Sequence, residues 1–375
     1  MLEVIGWISL LLVLALAGAF AWVEYARRGD RYFARPLAQR RQFVRRVQVI
    51  ASLIRPIFEG IARCWRMKSM PVFHYDGVAG PPIMSSKRAY AATKHYEPRP
   101  EDIFVATQMK CGTTWMQQIV FEILHGGEGD LSDEGYRHMY AVSPWIETSP
   151  TSSVPMERAP LVGPGRHRII KTHMPAQLIR HSDAARYVYV TRHPVSCFAS
   201  CLDFVYLLGG PLTPTRENLL RWYCSDDMLW GSWPDHVESW WRRSEAHDNV
   251  LFVHYEALKR DLPGQVRRIA GFLDCPLDEA QVDRVAHKAS FEYMREHEHQ
   301  FEMFAPNVFS VSTPKVRFMQ AGTLHRHQDT TPAERAYINA FCRQRLAGRH
   351  YPLARFYPDV AEAAAGAEKA TGGAA

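Results

Sequence analysis

The stretch DIFVATQMKCGTTWMQQIV, residues 102–120, decides the fold of this chain. Its first six residues, Asp102–Thr107, form an apolar run that predicts a buried strand. A glycine-containing turn follows, and then the sequence predicts a helix over Thr114–Leu124. Such a turn directs successive backbone N–H groups and a helix N-terminus at one point, which creates a site for an anion. The stretch therefore predicts an α/β fold with an anion-binding loop.

Three further apolar runs predict strands, and predicted helices alternate with them. The strands are His167–Lys171, Tyr187–Thr191 and Val250–His254, and the helices lie near Val195–Phe204 and from Tyr255 through Phe272. This alternation predicts a P-loop-type parallel sheet flanked by helices, with ligands at the carboxyl ends of the strands. The 375 residues, 47% hydrophobic and 22% charged, have an ordinary globular composition.

The order of residues in the loop differs from that of a Walker A motif. That motif places its lysine after the last glycine, whereas Lys110 precedes Gly112 here. An ordinary nucleotide kinase is therefore not indicated, although a P-loop kinase with a degenerate loop remains an alternative.

The segment KCGTTW resembles the 5′-phosphosulfate loop of sulfotransferases that use 3′-phosphoadenosine 5′-phosphosulfate (PAPS), whose usual form is YPKSGTTW. The sequence departs from that form at Gln108, Met109 and Cys111, and we interpret Cys111 as a spacer in the phosphate cradle and not as a nucleophile. The matching residues are Lys110, Gly112, Thr113, Thr114 and Trp115.

Two more segments resemble the same family. VTRHPVSCFAS, residues 190–200, resembles the 3′-phosphate site, whose arginine and serine lie eight positions apart, as Arg192 and Ser200 do. IIKTHMP, residues 169–175, resembles the strand end that carries the family's catalytic base, here His173. Lys171 lies two residues earlier, on the same face of the strand.

The resemblance extends through residues 231–261 and weakens near the C-terminus. It implies that Tyr255 and Trp115 border the adenine and that Phe291 stacks on it. Where the family carries Phe-x-Arg-Lys-Gly, this chain has FMQAG at 318–322. Whether Lys315, Arg317 or Arg326 replaces the missing cations is open. The expected cofactor contacts in this region are Arg317, Gly322 and Arg326.

The resemblance implies transfer of a sulfuryl group from PAPS to a hydroxyl, without a metal. In that reaction His173 is the general base, Lys110 stabilises the leaving oxygen, Lys171 neutralises the sulfuryl oxygens and Ser200 holds Lys110. A catalytically inactive, sulfotransferase-like membrane scaffold is a second alternative. Aromatic residues in the loops at 127–165 and 205–235, and at the helix end before the second loop, favour a small lipophilic acceptor. They are Tyr140, Trp145, Phe204, Tyr206, Trp222, Tyr223 and Trp230.

The N-terminal region predicts contact with a membrane. Val4–Val23 carries no charge over twenty residues, which is long enough to span a bilayer as a helix. Residues 24–70 hold twelve Arg and Lys against three acidic residues, a net charge of +9. By the positive-inside rule, this basic side stays cytoplasmic. Residues 33–70 also resemble a basic amphipathic helix, interrupted at Pro56, that could lie on an anionic leaflet.

The predicted organisation has four parts. Residues 1–28 are a transmembrane anchor, and residues 29–100 are a basic juxtamembrane segment and linker. Residues 101–360 are the catalytic domain, on the cytoplasmic side of the membrane, and residues 361–375 are a disordered tail. Without the basic segment and Glu3, the chain has a net charge of −2, so a nucleic-acid partner is not expected. The oligomeric state is open.

Overall fold

The computed structural model describes residues 2–26, 28–148, 152–302 and 326–362. This part of the chain contains a two-stranded antiparallel sheet and a four-stranded parallel sheet with helices on both of its faces. The strands are β1 Phe73–Tyr75, β2 Val78–Gly80, β3 Asp102–Thr107, β4 Arg168–Thr172, β5 Arg186–Thr191 and β6 Val250–His254. The α-helices are α1 Leu2–Ala26, α2 Gly29–Tyr32, α3 Leu37–Cys64, α4 Lys87–His95, α5 Thr113–Leu124, α6 Met139–Val142, α7 Pro194–Gly209, α8 Arg216–Tyr223, α9 Trp233–Ala246, α10 Tyr255–Arg260, α11 Leu262–Phe272, α12 Glu279–Lys288, α13 Phe291–Glu296, α14 Pro332–Leu346, α15 Leu353–Phe356 and α16 Pro358–Ala361.

The parallel sheet has the strand order β4-β3-β5-β6, and every neighbouring pair is parallel. Side chains alternate between its two faces, as the pleat of a strand requires. On β3, Ile103 and Val105 pack into one buried cluster, while Phe104 and Ala106 pack into the cluster on the other face. Because the strands are parallel, their carboxyl ends meet at one edge of the sheet.

The four predicted strands are confirmed, with shifts of at most one residue at their ends. The helix predicted from Tyr255 through Phe272 is instead two helices, α10 and α11. The chain turns at Asp261, whose carboxylate accepts a hydrogen bond of 2.9 Å from the backbone N–H of Gly264 and so caps α11. A capping aspartate followed by Pro263 favours a new helix start over continuation of the old one.

The segment predicted as a linker carries regular structure. The hairpin β1-β2 lies at 73–80 and contacts the domain through a bridge between Ala79 and Leu229. The helix α4 begins at the cap Ser86 and buries Tyr90 completely. Glycines and prolines suggested an open chain here, but they form the turns between these short elements.

The membrane anchor predicted at Val4–Val23 is not supported. The helix α1 covers the run, yet in the described ranges no helix is both long and apolar enough to cross a membrane. The last turns of α1 pack on protein, because Val23 and Ala26 are buried and the Trp22 ring lies 5.6 Å from that of Phe43.

Two other predictions concern the N-terminal region and the C-terminal tail. The helix α3 continues through Pro56 and is not interrupted there. The predicted tail at 361–375 lies outside the described residues from 363 onward.

Candidate active site

The loop after β3 has the backbone of an anion site. Lys110 and Gly112 both adopt left-handed conformations, with φ of 68° and 104°, and Gly112 is the N-cap of α5. A side chain at Gly112 would place its Cβ 2.8 Å from a ring carbon of Tyr255. This clash and the positive φ both exclude residues other than glycine. This arrangement turns the N-terminus of α5 toward the cavity that Lys110, Gly112, Thr113, Thr114 and Trp115 line together.

His173 follows β4 at the same edge of the sheet and lines this cavity. Its Nδ1 lies 2.8 Å from the carbonyl oxygen of Thr107 and 3.1 Å from the hydroxyl oxygen of the same residue. A carbonyl oxygen can only accept a hydrogen bond, so Nδ1 carries the proton. Nε2 is therefore the nitrogen with the lone pair in the neutral ring.

The surroundings of His173 keep its ring neutral. Burial, followed by the charge of Lys171, holds its pKa well below the ordinary value of 6.5. The ring is also fixed between two indoles, with centroids 5.1 Å from Trp145 and 4.9 Å from Trp230. A neutral, oriented imidazole is the form that can accept a proton.

Lys171 has a different position from the one that the sequence suggested. It is fully buried, and it is not among the described residues that line the cavity. Its Nζ lies 3.1 Å from the Tyr140 hydroxyl and 3.4 Å from the centre of the Trp145 ring. Burial lowers the pKa of Lys171 well below its ordinary value. In this structure Trp145 and Tyr140 cover Lys171, so any direct contact with the sulfuryl group requires these side chains to move.

A buried carboxylate beside His173 was missed in the sequence. Glu147 Oε1 accepts hydrogen bonds of 2.6 Å from the backbone N–H of His173 and from the indole N–H of Trp145. Burial raises the pKa of Glu147, and the hydrogen bond from His173 opposes that rise. Its charge also raises the pKa of Lys171. An acidic residue inside the apolar run SPWIE was the available signal.

Arg192 lies at the end of β5, where the 3′-phosphate site was expected. Its side chain is almost fully buried, and its guanidinium carbon lies 4.4 Å from the centre of the Tyr255 ring. Tyr255 in turn packs edge-on against Trp115, with ring centroids 5.1 Å apart. Phe291 and Lys259 line the cavity next to Trp115. The structure thus brings the residues predicted for the adenine and the 3′-phosphate together.

Lys110 and Ser200 both line the cavity, on facing elements. The Nζ atom of Lys110 lies 4.8 Å from the centre of the Phe204 ring, one turn beyond Ser200 on α7. Of the aromatic residues expected around the acceptor, Trp145, Phe204 and Trp230 line the cavity. The others lie elsewhere: Tyr140, Trp222 and Tyr223 are buried in the core, and Tyr206 is exposed.

Cys111 supports the loop from below. It is completely buried, and its Sγ lies 3.3 Å from Sγ of Cys197 on α7. Burial raises the pKa of the Cys111 thiol, contrary to the lowering that a helix N-terminus alone would produce. A thiol buried in this way favours the interpretation of Cys111 as a spacer, which stays a prediction.

Four residues predicted near the 3′-phosphate cannot be placed. Lys315, Arg317 and Gly322 lie outside the described residues, so the replacement of the family's Arg-Lys pair stays open. Arg326 begins a short 3-10 helix, Arg326–Asp329, but its side chain is not among those described. These residues remain predictions from the sequence.

Within the described ranges, one cluster could hold a metal ion. The ligand atoms of His181, Asp183 and His247 lie within 4.8 Å of one another. This cluster precedes β5 and β6, at the edge of the sheet opposite His173. Because the cluster lies at the other edge of the sheet, it does not bear on the reaction at His173. That this reaction needs no metal stays a prediction.

Comparison with known proteins gives one consistent result. A family model described as the sulfotransferase domain matches residues 100–350. Human sulfotransferase 1C2 is 30% identical over 214 residues, which are 55% of this chain and 70% of the relative. Mouse sulfotransferase 1B1 is 31% identical over 241 residues, which are 62% of this chain and 76% of the relative.

Solved structures show the same fold. Mouse sulfotransferase SULT7A1 complexed with PAP superposes with a TM-score of 0.56 at 21% identity, covering 74% of this chain and 94% of the other. Retinol dehydratase in complex with androsterone and the inactive cofactor PAP gives 0.59 at 20% identity, with coverages of 78% and 96%.

Proposed function

The chain belongs to the sulfotransferase family and is a PAPS-dependent sulfotransferase, and we propose that it sulfates the hydroxyl group of a small lipophilic molecule with His173 as general base. In the reaction, the acceptor oxygen bonds to sulfur while the bond from sulfur to the bridging phosphate oxygen breaks. The acceptor proton passes to His173, and 3′-phosphoadenosine 5′-phosphate leaves.

One observation supports His173 above the other histidines. Its Nδ1 is committed to the carbonyl of Thr107 at 2.8 Å, which leaves Nε2 to receive a proton, and the residue lines the cavity. His193, beside Arg192, is the next candidate base in the sequence. It instead bonds to Asp359 at 2.9 Å and is not among the described lining residues. Geometry therefore favours His173 as the base.

The opposite wall of the cavity fits the donor. The N-terminus of α5 and the ammonium of Lys110 suit the 5′-phosphosulfate, because both stabilise negative charge that grows on the leaving oxygen. Thr113, Thr114 and Ser200 add hydroxyl donors. Arg192 provides a planar pair of N–H groups for a terminal phosphate. Catalysis of this kind depends mainly on positioning and charge stabilisation, as in phosphoryl transfer.

The acceptor side of the cavity is apolar. Trp145, Phe204 and Trp230 line it, together with Met109. Aromatic and methionine side chains favour a flat or flexible apolar body, and a few polar groups then orient its hydroxyl. A phenol, a sterol or a hydroxylated lipid fits this description better than a soluble sugar.

The proposal is tested by incubating the protein with radiolabelled PAPS and either a lipid extract or a panel of sugars. We expect label in lipophilic products, without added magnesium, and none with His173→Ala. Transfer only to sugars would contradict the acceptor class. Phosphate transfer from ATP that requires magnesium would favour the kinase alternative. Binding of PAPS without transfer to any acceptor would favour the inactive scaffold.

The cellular side on which the domain works is also a proposal. The excess of basic residues at 24–70 would favour the cytoplasmic side by the positive-inside rule only where α1 spans the membrane, so this proposal rests on the sequence alone. A reporter at the C-terminus of the chain should then be protected from protease added outside intact cells. Cleavage of the reporter under those conditions would overturn this orientation.

A further inference from the structure

The outer face of α3 carries a stripe of exposed apolar side chains. Val49, Leu53, Ile57 and Ile61 follow one another at intervals of four residues, which places them along one side of the helix. They are 64%, 70%, 60% and 43% exposed. Scattered exposed apolar residues need no explanation, but a continuous stripe indicates a surface that another body covers.

A different face of α3 is already packed on the protein. Phe43, Val47 and Ala51 are buried in the main core. Arg40 fixes the start of the helix, because its guanidinium donates hydrogen bonds to the carbonyl oxygens of His299 and Arg137. The stripe is therefore not the face by which α3 attaches to its own domain.

The charge around the stripe indicates which partner fits it. Arg45 and Arg46 lie one turn before Val49, and both are exposed. Arg63 and Arg66 are exposed at the other end of the stripe. The whole segment 24–70 has a net charge of +9, so two copies of this surface would repel each other. An anionic surface would be attracted, with binding strengthened about fivefold by each basic residue close to it.

Aromatic residues mark the ends of the same region. Trp65 follows α3 directly and is 56% exposed, and Trp22 and Tyr25 near the end of α1 are 39% and 56% exposed. Tryptophan and tyrosine have an apolar body and a polar tip, which suits them to the headgroup level of a bilayer.

We propose that α3 lies in the surface of an anionic bilayer, with the stripe Val49-Leu53-Ile57-Ile61 in the acyl boundary and the flanking arginines on the headgroups. This contact does not require a helix that spans the membrane, and it is independent of the acceptor assigned above. It holds the domain at the surface in which lipophilic molecules dissolve.

The test is cosedimentation of the full chain with vesicles of phosphatidylcholine alone or mixed with phosphatidylserine. We expect binding to the mixed vesicles that falls as salt rises. The double substitution Leu53→Asp and Ile57→Asp should weaken this binding about tenfold or more, because it replaces two inserted apolar side chains by charges. Ile83→Asp is the matched control, since Ile83 is 63% exposed but lies outside α3. It should bind like the unmodified chain.

Several results would overturn the proposal. One is equal binding of the double variant and the unmodified chain. Another is binding that resists alkaline carbonate, which would indicate a spanning segment in place of a surface contact. A third is self-association in sedimentation equilibrium that the double substitution abolishes, because the stripe would then be an interface between copies. Turnover of a soluble phenol should be the same in all three proteins, which separates this test from the proposed function.

Discussion

His173→Ala should abolish turnover while binding of the donor is retained. The general base contributes about 10²–10⁴ in rate, which corresponds to about 2.7–5.5 kcal/mol in the activation barrier. The donor is expected to contact the loop at 110–115 and Arg192, whereas His173 lies among Trp145 and Trp230 on the acceptor side. The loss should therefore appear in kcat and leave the Kd of the donor product nearly unchanged.

The assay is steady-state transfer of label from PAPS, combined with calorimetric binding of 3′-phosphoadenosine 5′-phosphate. His193→Ala is the control, because His193 bonds to Asp359 and should leave kcat close to that of the unmodified enzyme. Retention of more than about a tenth of kcat by His173→Ala lies well outside the loss expected of a base and would refute the assignment. Equal losses of donor binding, turnover and Tm would show that His173 mainly supports the fold.

Three further predictions concern titratable side chains that the fold buries. Arg192→Ala should weaken the binding of PAPS by about 2–4 kcal/mol, or roughly 30- to 1,000-fold, but barely change the binding of an analogue that lacks the 3′-phosphate. Equal losses of affinity for both ligands would show that Arg192 does not bind the 3′-phosphate. Glu147→Ala should lower the free energy of unfolding, measured by urea titration, by about 1–3 kcal/mol, because it leaves the buried backbone N–H of His173 unpaired. Glu147→Gln keeps an acceptor oxygen and should recover most of the lost stability. Burial lowers the pKa of His236 to about 4 in the folded protein. As the pH falls, the unfolded chain therefore binds a proton at this histidine before the folded protein does. Its contribution to stability is complete above about pH 6.5 and should fall by about 2 kcal/mol at pH 5, an effect that His236→Gln should remove.

Much of the sheet could be predicted because its strands are short, apolar and bounded by polar residues. Asp102–Thr107 and Val250–His254 were assigned without error for that reason. The loop at 110–114 was recognised because KCGTTW resembles the 5′-phosphosulfate loop of the family. Local sequence thus determined both the strands and the phosphate loop.

The predictions that failed concern residues whose surroundings are set by tertiary contacts. The alternation along β4 predicted that Lys171 and His173 share a face, but nothing local indicated that Tyr140 and Trp145 would cover Lys171. The charge-free run at the N-terminus is a helix, as predicted, but its last turns pack on Phe43. Local patterns identify a buried or apolar residue, but not the partner that buries it.

The cations of the site also determine how the base behaves during the reaction. After burial, Lys171 is the largest cause that lowers the pKa of His173, and Lys110 acts in the same direction. The donor carries several negative charges, which offset these cations when it binds. The pKa of His173 should therefore be higher in the complex than in the free enzyme.

Two pH profiles measure this difference. The base is active when neutral, so activity falls as the pH drops through its pKa. The acidic limb of kcat/KM for the donor reports the free enzyme and should lie below pH 6.5, the ordinary value for histidine. The limb of kcat reports the complex and should lie at higher pH than that of kcat/KM. Coincident limbs would mean that the donor does not change the electrostatic environment of His173, and a limb of kcat/KM above pH 6.5 would contradict the buried, cation-flanked position of the base.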